Sequence, residues 1–278
     1  MGQDTASMRF FYGSVCGRTL LKVLLKLGLT KLMAAYLQSS FSKGSIPRFI
    51  KKYNIQMDDY PKREYKSFAD FFARKKDVYK FDVEPSHLIS PCDGWLSAFQ
   101  IEPDSVFEVK GTRYSVRDFL DDSELAKRFE GGTCLIFRLT PADYHHFAFV
   151  DDATIGERHY LEGALHSVQP IALSTVPVFR VNRRCWHLLK TKNFGEVAQI
   201  EVGALAVGGF VYEKENADVK RGEEMGYFDL WGSTIVQLFQ KDSIELIPEI
   251  AAEIDPDKEF HICLGTQIGI KKLSTTCN

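Results

Sequence analysis

The chain has 278 residues, of which 45% are hydrophobic and 26% are charged, proportions typical of a globular protein rather than a disordered or fibrous one. This length is sufficient for one large domain, or for a domain with an appendage. The formal net charge of -2 excludes a chain that is basic throughout, and no motif with interleaved basic and aromatic residues indicates nucleic-acid binding.

The charge is distributed unevenly along the chain. Residues 1–80 carry 16 Lys and Arg against 6 Asp and Glu, a balance of +10, and the remaining residues carry 19 against 31, a balance of -12. A basic first third predicts an anionic partner for this region, and an anionic membrane surface is the better candidate in the absence of a nucleic-acid motif.

The first predicted element is a helix over 16–38. Arg18, Lys22 and Lys26 share one helical face, and leucines cover most of the rest. Lysines interrupt every apolar run, so no uncharged stretch is long enough to span a bilayer. The pattern fits a helix lying in a membrane interface, and it fits equally a helix packed on the protein's own core. The charge asymmetry favours the membrane.

Residues 44–80 predict further short helices with basic surfaces, and strands dominate after Leu88. We therefore expect an α+β protein with a basic helical region over 1–80, which associates with membranes, and a β-rich catalytic core over 81–278. A helix is predicted over Val116–Phe129, with Ser115 as its cap and Asp118 three residues on. The predicted strands are β-branched or aromatic and end at Gly, Pro or Asp: Trp95–Ile101, Thr133–Leu139, Ala153–Glu162, Val197–Val202 and Phe210–Glu213.

The six cysteines show no paired metal-type spacing, so reduced, mostly packed thiols are expected. The histidines at 87, 159, 187 and 261 add no ligand pattern, so no metal is expected. No secretory signal is expected either, because the start lacks a compact apolar run before a small-residue cleavage site.

A set of motifs follows in order along the chain. The most specific is Arg221–Phe239, in which Gly232-Ser233-Thr234 lies between an acidic, glycine-bearing approach and an alternating apolar run. The others are Lys43–Ile50, Tyr65–Arg74, Ser90–Gly94, Arg138–Phe147, His166–Pro170 and Glu201–Gly208. Together they resemble the phosphatidylserine decarboxylase family, which uses a pyruvoyl cofactor.

The resemblance implies a proenzyme that cleaves itself between Gly232 and Ser233. The products would be a β chain of residues 1–232 and an α chain of 46 residues, 233–278, which remain partners, and Ser233 would become the pyruvoyl group. Asp93 would belong to the relay that activates the serine, and His145 would bind substrate and handle protons. The substrate would be phosphatidylserine, converted to phosphatidylethanolamine by a peripheral protein on the cytoplasmic face of a membrane. Homo-oligomer formation is left open.

The chain departs from the family pattern at one position. The family motif is Asp-Tyr-His-x-x-His, whereas this chain reads Asp143-Tyr144-His145-His146-Phe147-Ala148. The second histidine, which matches the serine-activating base, is replaced by Ala148, and alanine cannot accept a proton. Three interpretations stay open: a variant made to block cleavage, a natural homologue with impaired processing, or another base, His146 or His166. In an extended segment His146 would point to the opposite face from His145.

Two rival functions accompany this hypothesis. One is a pyruvoyl-dependent decarboxylase of a free amino acid, against which the basic amphipathic N-terminus argues, because a soluble substrate gives no reason for it. The other is an inactive, lipid-binding homologue, which Ala148 favours.

Overall fold

Within the described residues, five α-helices lie in the first third of the chain, and most of the later ones pack on one face of a large sheet. The computed structural model describes residues 6–102, 104, 106–109, 111–204, 209–230, 233–251 and 258–272. Its α-helices are α1 (Ala6–Gly13), α2 (Val15–Lys26), α3 (Leu29–Gln38), α4 (Ile46–Tyr53), α5 (Phe68–Phe72), α6 (Val116–Leu120), α7 (Ser123–Lys127), α8 (Pro170–Leu173), α9 (Val178–Val181) and α10 (Pro248–Ala251), with a 3₁₀ turn at Ser40–Ser45.

The strands occupy most of the remaining chain. They are β1 (His87–Ile89), β2 (Gly94–Gln100), β3 (Val106–Val109), β4 (Thr112–Ser115), β5 (Thr133–Leu139), β6 (His146–Ala148), β7 (Ala153–Ile155), β8 (His159–Leu161), β9 (Arg184–Thr191), β10 (Glu196–Val202), β11 (Phe210–Tyr212), β12 (Ala217–Val219), β13 (Glu224–Phe228), β14 (Ser233–Phe239), β15 (Ile244–Leu246), β16 (Phe260–Ile262) and β17 (Gln267–Lys271). The prediction of an α+β fold is confirmed.

A nine-stranded antiparallel sheet organises the core. Its order is β12-β7-β9-β10-β14-β5-β2-β16, with β8 also paired to β9. Alternate residues of the central strands enter two different clusters: Ile136 and Val236 belong to one, and Phe137 and Ile235 belong to the other. This is the period of two that a sheet buried on both faces requires. Helices α6, α8 and α9 contribute to the first cluster, and strands of the sheet β11-β13-β6 contribute to the second.

Three predicted elements are divided in the structure. The helix expected over 16–38 is broken at Gly28, whose φ of 73° suits glycine. The helix expected over Val116–Phe129 ends at Asp121, where φ is 54°, and Asp122 caps the next helix. The predicted strand Ala153–Glu162 forms β7 and β8, which pair with separate parts of β9. The capping box of Ser115 and Asp118 is present.

The N-terminal helices lie partly on the core. Tyr12 and Leu21 are buried in the first cluster, and the Tyr12 hydroxyl accepts the Ser167 N–H at 2.8 Å. None of the helices within the described residues is long and apolar enough to cross a membrane.

Candidate active site

Ser233 is the first residue of the central strand β14. It pairs with Leu139 of β5, and β10 flanks β14 on the other side. Its side chain is fully buried, and its Oγ has no hydrogen-bond partner among the residues that the structure describes. A buried hydroxyl without a partner is unfavourable unless a function maintains it, so Ser233 is the leading candidate for a nucleophile. Gly232 lies outside the described residues.

Asp93 lies at the same end of the sheet as Ser233. It precedes β2, in which Trp95 pairs with Arg138, the neighbour of Leu139. Adjacent strands are about 4.8 Å apart, so β2 and β14 are separated by the width of β5 alone. The Asp93 carboxylate accepts the Leu264 N–H at 2.7 Å, and the Lys76 ammonium lies 3.9 Å from it.

His145 is held in one orientation by the residue two positions before it. Its Nδ1 lies 2.9 Å from the backbone carbonyl oxygen of Asp143. Because a carbonyl oxygen only accepts, Nδ1 carries the proton and Nε2 presents a lone pair. That Nε2 is buried and has no partner within the described part of the chain. The ring packs on Phe72 at 4.1 Å between centroids, and Phe72 shares a cluster with Leu230, three residues before Ser233.

The environment keeps the His145 ring neutral. Burial lowers its pKa to about 3, and the positive charge of Arg74 acts in the same direction, while the carboxylate of Asp143 opposes the shift. The same carboxylate accepts the backbone N–H and the hydroxyl of Thr140 at 2.6 and 2.8 Å and lies 2.8 Å from His261 Nε2. His145 can therefore accept a hydrogen bond at neutral pH without carrying a charge.

Ala148 lies beside the segment Ser90–Gly94, which contains Asp93 and is called the Asp93 loop below. Its N–H donates to the Pro91 carbonyl at 2.8 Å, and its side chain packs with Tyr60, Tyr144 and Leu264. Leu264 is also the residue whose N–H binds Asp93. A side chain at position 148 therefore starts next to the carboxylate that would orient an imidazole, and the residue there is an alanine.

Comparison with known proteins shows the family to which the chain belongs. Residues 68–269 match the family model for phosphatidylserine decarboxylase. The chain is 40% identical over 265 residues to phosphatidylserine decarboxylase proenzyme 2 of Clostridium acetobutylicum, covering 94% of this chain and 91% of that protein. The chain belongs to the phosphatidylserine decarboxylase family. Proenzymes of Clostridium perfringens and Clostridium kluyveri are 41% identical over 269 residues and 38% identical over 272 residues, covering 94% and 95% of this chain and 91% and 92% of those proteins.

His146 and His166, which the sequence leaves open as alternative bases, are engaged elsewhere. His146 stacks between Tyr144 and Tyr227 at 4.8 Å each. Its Nδ1 lies 2.9 Å from Glu224 and its Nε2 lies 3.2 Å from the Ala73 carbonyl oxygen. Since both nitrogens face acceptor oxygens, neither is a free base.

His166 faces the N-terminal helices rather than the Asp93 loop. Its Nδ1 lies 3.5 Å from the Tyr12 hydroxyl, and burial, reinforced by the charge of Lys22, lowers its pKa. The contacts of His166 thus give no support for a role as the replacement base.

The structure adds site residues that sequence reasoning missed. Residues 73–76 lie along the Asp143–His146 motif: the Ala73 carbonyl meets His146, and the Lys76 N–H donates to the Tyr144 hydroxyl at 3.2 Å. Arg74, within the same segment, is buried. The motif Tyr65–Arg74 includes Arg74 but assigns it no role, and Lys76 lies outside that motif.

A second polar group lies on the face of the sheet that also buries Ser233. Cys185 and His187 alternate on β9, Glu201 pairs with Cys185 on β10, and their donor atoms lie within 4.8 Å of one another. Burial raises the pKa of Glu201 to about 7. These donors could hold a cation, although no metal was expected from spacing along the chain. The register between two strands, rather than sequence distance, brings them together.

Proposed function

We propose that this chain is a phosphatidylserine decarboxylase proenzyme that cleaves itself between Gly232 and Ser233. The observation that carries the proposal is Ser233. Its hydroxyl is buried at the start of the central strand and has no partner among the described residues, and it lies within the motif that resembles the family's cleavage site. The pyruvoyl cofactor would form from Ser233 itself.

Self-cleavage would proceed through an ester. The Ser233 hydroxyl gives up its proton and attacks the Gly232 carbonyl carbon, and the peptide nitrogen leaves as the amine of Ser233. Elimination then removes the Cα proton of residue 233 and breaks its Cβ–Oγ bond, which releases the Gly232 carboxylate. The dehydroalanine that remains takes up water, loses ammonia and becomes a pyruvoyl group. The first step needs a base, because a serine hydroxyl is a poor nucleophile at neutral pH.

The neighbouring residues suit the later chemistry. A pyruvoyl carbonyl supplies an electron sink for the bond broken when carbon dioxide leaves, a role that amino-acid side chains do not fill. The neutral His145 has a buried Nε2 without a partner among the described residues, and this nitrogen would hold or move a proton. Asp143 fixes the tautomer of that ring through its backbone carbonyl.

Ala148 bears on self-cleavage rather than on decarboxylation. We propose that the chain processes slowly, because the side chain that would sit between the Asp93 loop and the serine lacks a proton acceptor. An inactive, lipid-binding homologue is the second candidate function, and the same alanine favours it. Decarboxylation of a free amino acid has no such observation in its favour.

The N-terminal helices support a lipid substrate. Large apolar side chains are exposed there, with Leu27 at 76%, Leu32 at 68% and Phe41 at 86%. Lys22, Lys31, Lys43, Lys51 and Lys52 are exposed in the same region. A surface that combines exposed apolar side chains with lysines fits the headgroup region of an anionic membrane. We propose peripheral binding to the cytoplasmic face, where phosphatidylserine would enter from the bilayer.

Intact-mass measurement tests this function. Purified protein is incubated for days, and we expect any processed fraction to consist of residues 1–232 and of 233–278 with a pyruvoyl terminus. That fraction should release labelled carbon dioxide from carboxyl-labelled phosphatidylserine. Ser233→Ala should abolish both events, whereas Ser243→Ala, which alters a turn hydroxyl bonded to the Gln240 carbonyl, should change neither. An active Ser233→Ala protein would contradict the pyruvoyl assignment.

A further inference from the structure

Arg74 is a fully enclosed cation without a carboxylate. It is 1% exposed, and no acidic group lies within ion-pair distance of it among the described residues. Its Nη1 donates to the Phe71 carbonyl oxygen at 3.4 Å, and its guanidinium also hydrogen-bonds to the Tyr60 side chain. Among the described residues Nε and Nη2 have no partner. The rings of Tyr60 and Phe71 cover the guanidinium at 4.8 and 4.7 Å.

The other buried arginines of the described chain are paired. Arg138 makes a bidentate pair with Glu259, at 2.9 and 2.7 Å. Arg184 donates to the backbone carbonyls of Phe119, Arg180 and Asn182. Burial of an unpaired charge is costly, and buried charges are ordinarily paired or bound to a ligand. At Arg74, by contrast, Nε and Nη2 have no acceptor among the described residues, and these two atoms are available to a ligand.

Arg74 belongs to the candidate active site by position. Ala73, directly before it, and Lys76, two residues after it, contact the Asp143–His146 motif through the Ala73 carbonyl and the Lys76 N–H. The ammonium of Lys76 reaches Asp93. Two further unpaired polar atoms lie nearby in the same part of the fold: the Tyr65 hydroxyl, whose ring packs on Phe71, and His145 Nε2, whose ring packs on Phe72.

The free atoms of Arg74 have the geometry of an anion receptor. Nε and one terminal nitrogen form one edge of the planar guanidinium, and this edge presents two parallel N–H groups to two oxygens of a phosphate or carboxylate. Tyr60 comes from the segment between α4 and α5, which carries no regular structure, and its ring is the part of the cover that a ligand would displace.

We propose that Arg74 binds the phosphate of the phospholipid headgroup and so sets the position of the serine moiety at Ser233. This proposal rests on the proposed function. A phosphate is a better ligand than the headgroup carboxylate, because a cation on the carboxylate would stabilise the ground state and oppose release of carbon dioxide. The phosphate is unchanged by the reaction and can be held throughout.

Binding of a soluble headgroup tests the proposal without requiring catalysis. Calorimetric titration with glycerophosphoserine is carried out on the full chain carrying Ser233→Ala, so that no new Gly232 carboxylate competes for Arg74. We expect Arg74→Gln to weaken binding at least tenfold. Arg74→Lys, which retains the charge but loses the two parallel N–H donors, should weaken it less. Arg63→Gln is the control, because Arg63 is partly exposed and already paired with Asp70 at 2.9 Å. Free serine, which lacks the phosphate, should bind weakly and equally to all variants.

Two outcomes would overturn the proposal. One is unchanged glycerophosphoserine binding in Arg74→Gln. The other is a loss that is equal for glycerophosphoserine and free serine, which would indicate a structural role for Arg74. Failure of the parent chain to bind glycerophosphoserine would also overturn it. The proposed function fails separately, through absence of the 233–278 fragment and of carbon dioxide release, and headgroup binding that depends on Arg74 would survive that failure.

The melting temperature provides a second measurement. Arg74→Met keeps the length of the side chain and removes the unpaired charge. Without ligand we expect its melting temperature to equal or exceed that of the parent, as replacement of a buried charge by an apolar group often allows. Glycerophosphoserine should raise the melting temperature of the parent but not of Arg74→Met. A large loss of stability, together with an unchanged ligand shift in Arg74→Lys and Arg74→Gln, would refute the role in binding.

Discussion

At the residue scale, the proposed scheme assigns self-cleavage and decarboxylation to different side chains. In the proposed scheme Ala148 leaves the cleavage step without a proton acceptor near Asp93, whereas His145, oriented by the Asp143 carbonyl, serves the decarboxylation. Cleavage and decarboxylation depend on different histidines in this interpretation, so they should respond to different substitutions.

Restoring the imidazole tests this separation. We expect Ala148→His to accelerate cleavage roughly a hundred- to ten-thousand-fold, the usual contribution of a general base. Ala148 is buried, with 1% of its surface exposed, so the larger side chain costs about 1–3 kcal/mol of stability. Timed mass spectra of the 1–232 and 233–278 fragments measure the rate. Ala148→Asn is the matched control, because it adds a polar side chain of similar size that cannot act as a base. Equal rates in both variants would contradict the relay.

At the element scale, the cleavage site lies at the start of a strand that is paired on both sides. β14 pairs with β10 over six residues and with β5 over seven. The chain after Ser233 also contributes β16 to the edge of β2 and β15 and β17 to the sheet with β1. The short product therefore crosses the core at several positions.

This connectivity predicts that the cleaved chains do not separate. We expect the 233–278 fragment to co-elute with the 1–232 fragment in gel filtration until the whole protein unfolds, because its release would expose the fully buried β14. Gel filtration of processed protein across a urea series, compared with unfolding by circular dichroism, measures this. Release of the short fragment at a urea concentration well below the unfolding transition would show that the strand pairing is weaker than the structure indicates.

The N-terminal helices carry a prediction of their own. Replacing Leu27, Leu32 and Phe41 together by serine should weaken vesicle binding by about tenfold for each side chain that enters the bilayer, since burial of such a group contributes about 1.5–3 kcal/mol. Flotation with vesicles of anionic lipid measures the affinity, and salt should lower it for the parent.

The matched control for this experiment lies outside the helices. Val78 and Val83 are 80% and 76% exposed, and their replacement by serine should leave vesicle binding unchanged. Equal losses in the two sets of variants would show that general surface hydrophobicity, rather than the helical region, determines binding.

At the scale of the whole molecule, His145 links stability to pH. Its native pKa is lowered to about 3 by burial, against about 6.5 in an unfolded chain. Between these values the unfolded state binds one more proton than the native state. The contribution of the neutral His145 ring to the free energy of unfolding is therefore complete above pH 6.5 and declines as the pH falls. The slope is about 1.4 kcal/mol per pH unit.

Urea unfolding at pH 7, 6 and 5 measures this linkage. The loss of stability on acidification should be smaller in His145→Gln than in the parent. His159→Gln provides the control, because this histidine is exposed, and its slope should match that of the parent. A slope unchanged by His145→Gln would show that His145 is protonated at a pH near that of an exposed ring.

Sequence patterns predicted more of the fold and of the motif residues than of their surroundings. Thr133–Leu139 was predicted with the bounds it has, because its apolar run and flanking residues are local properties. The break at Asp121 was missed, since a left-handed residue within an apolar helical pattern leaves no periodic signal. The sequence also could not predict that Nε and Nη2 of Arg74 lack a partner among the described residues, because hydrogen-bond partners depend on tertiary packing.

The central position of Ser233 also makes activation depend on folding. The groups proposed for the relay come from the ends of β2 and β14, which are far apart along the chain and meet only through the completed sheet. A misfolded or truncated chain would therefore keep an ordinary serine and lack the electrophile. Under this scheme the electrophilic carbonyl arises only in molecules that have already assembled the surroundings that contain it, which protects the cell's amines from a reactive group on unfolded protein.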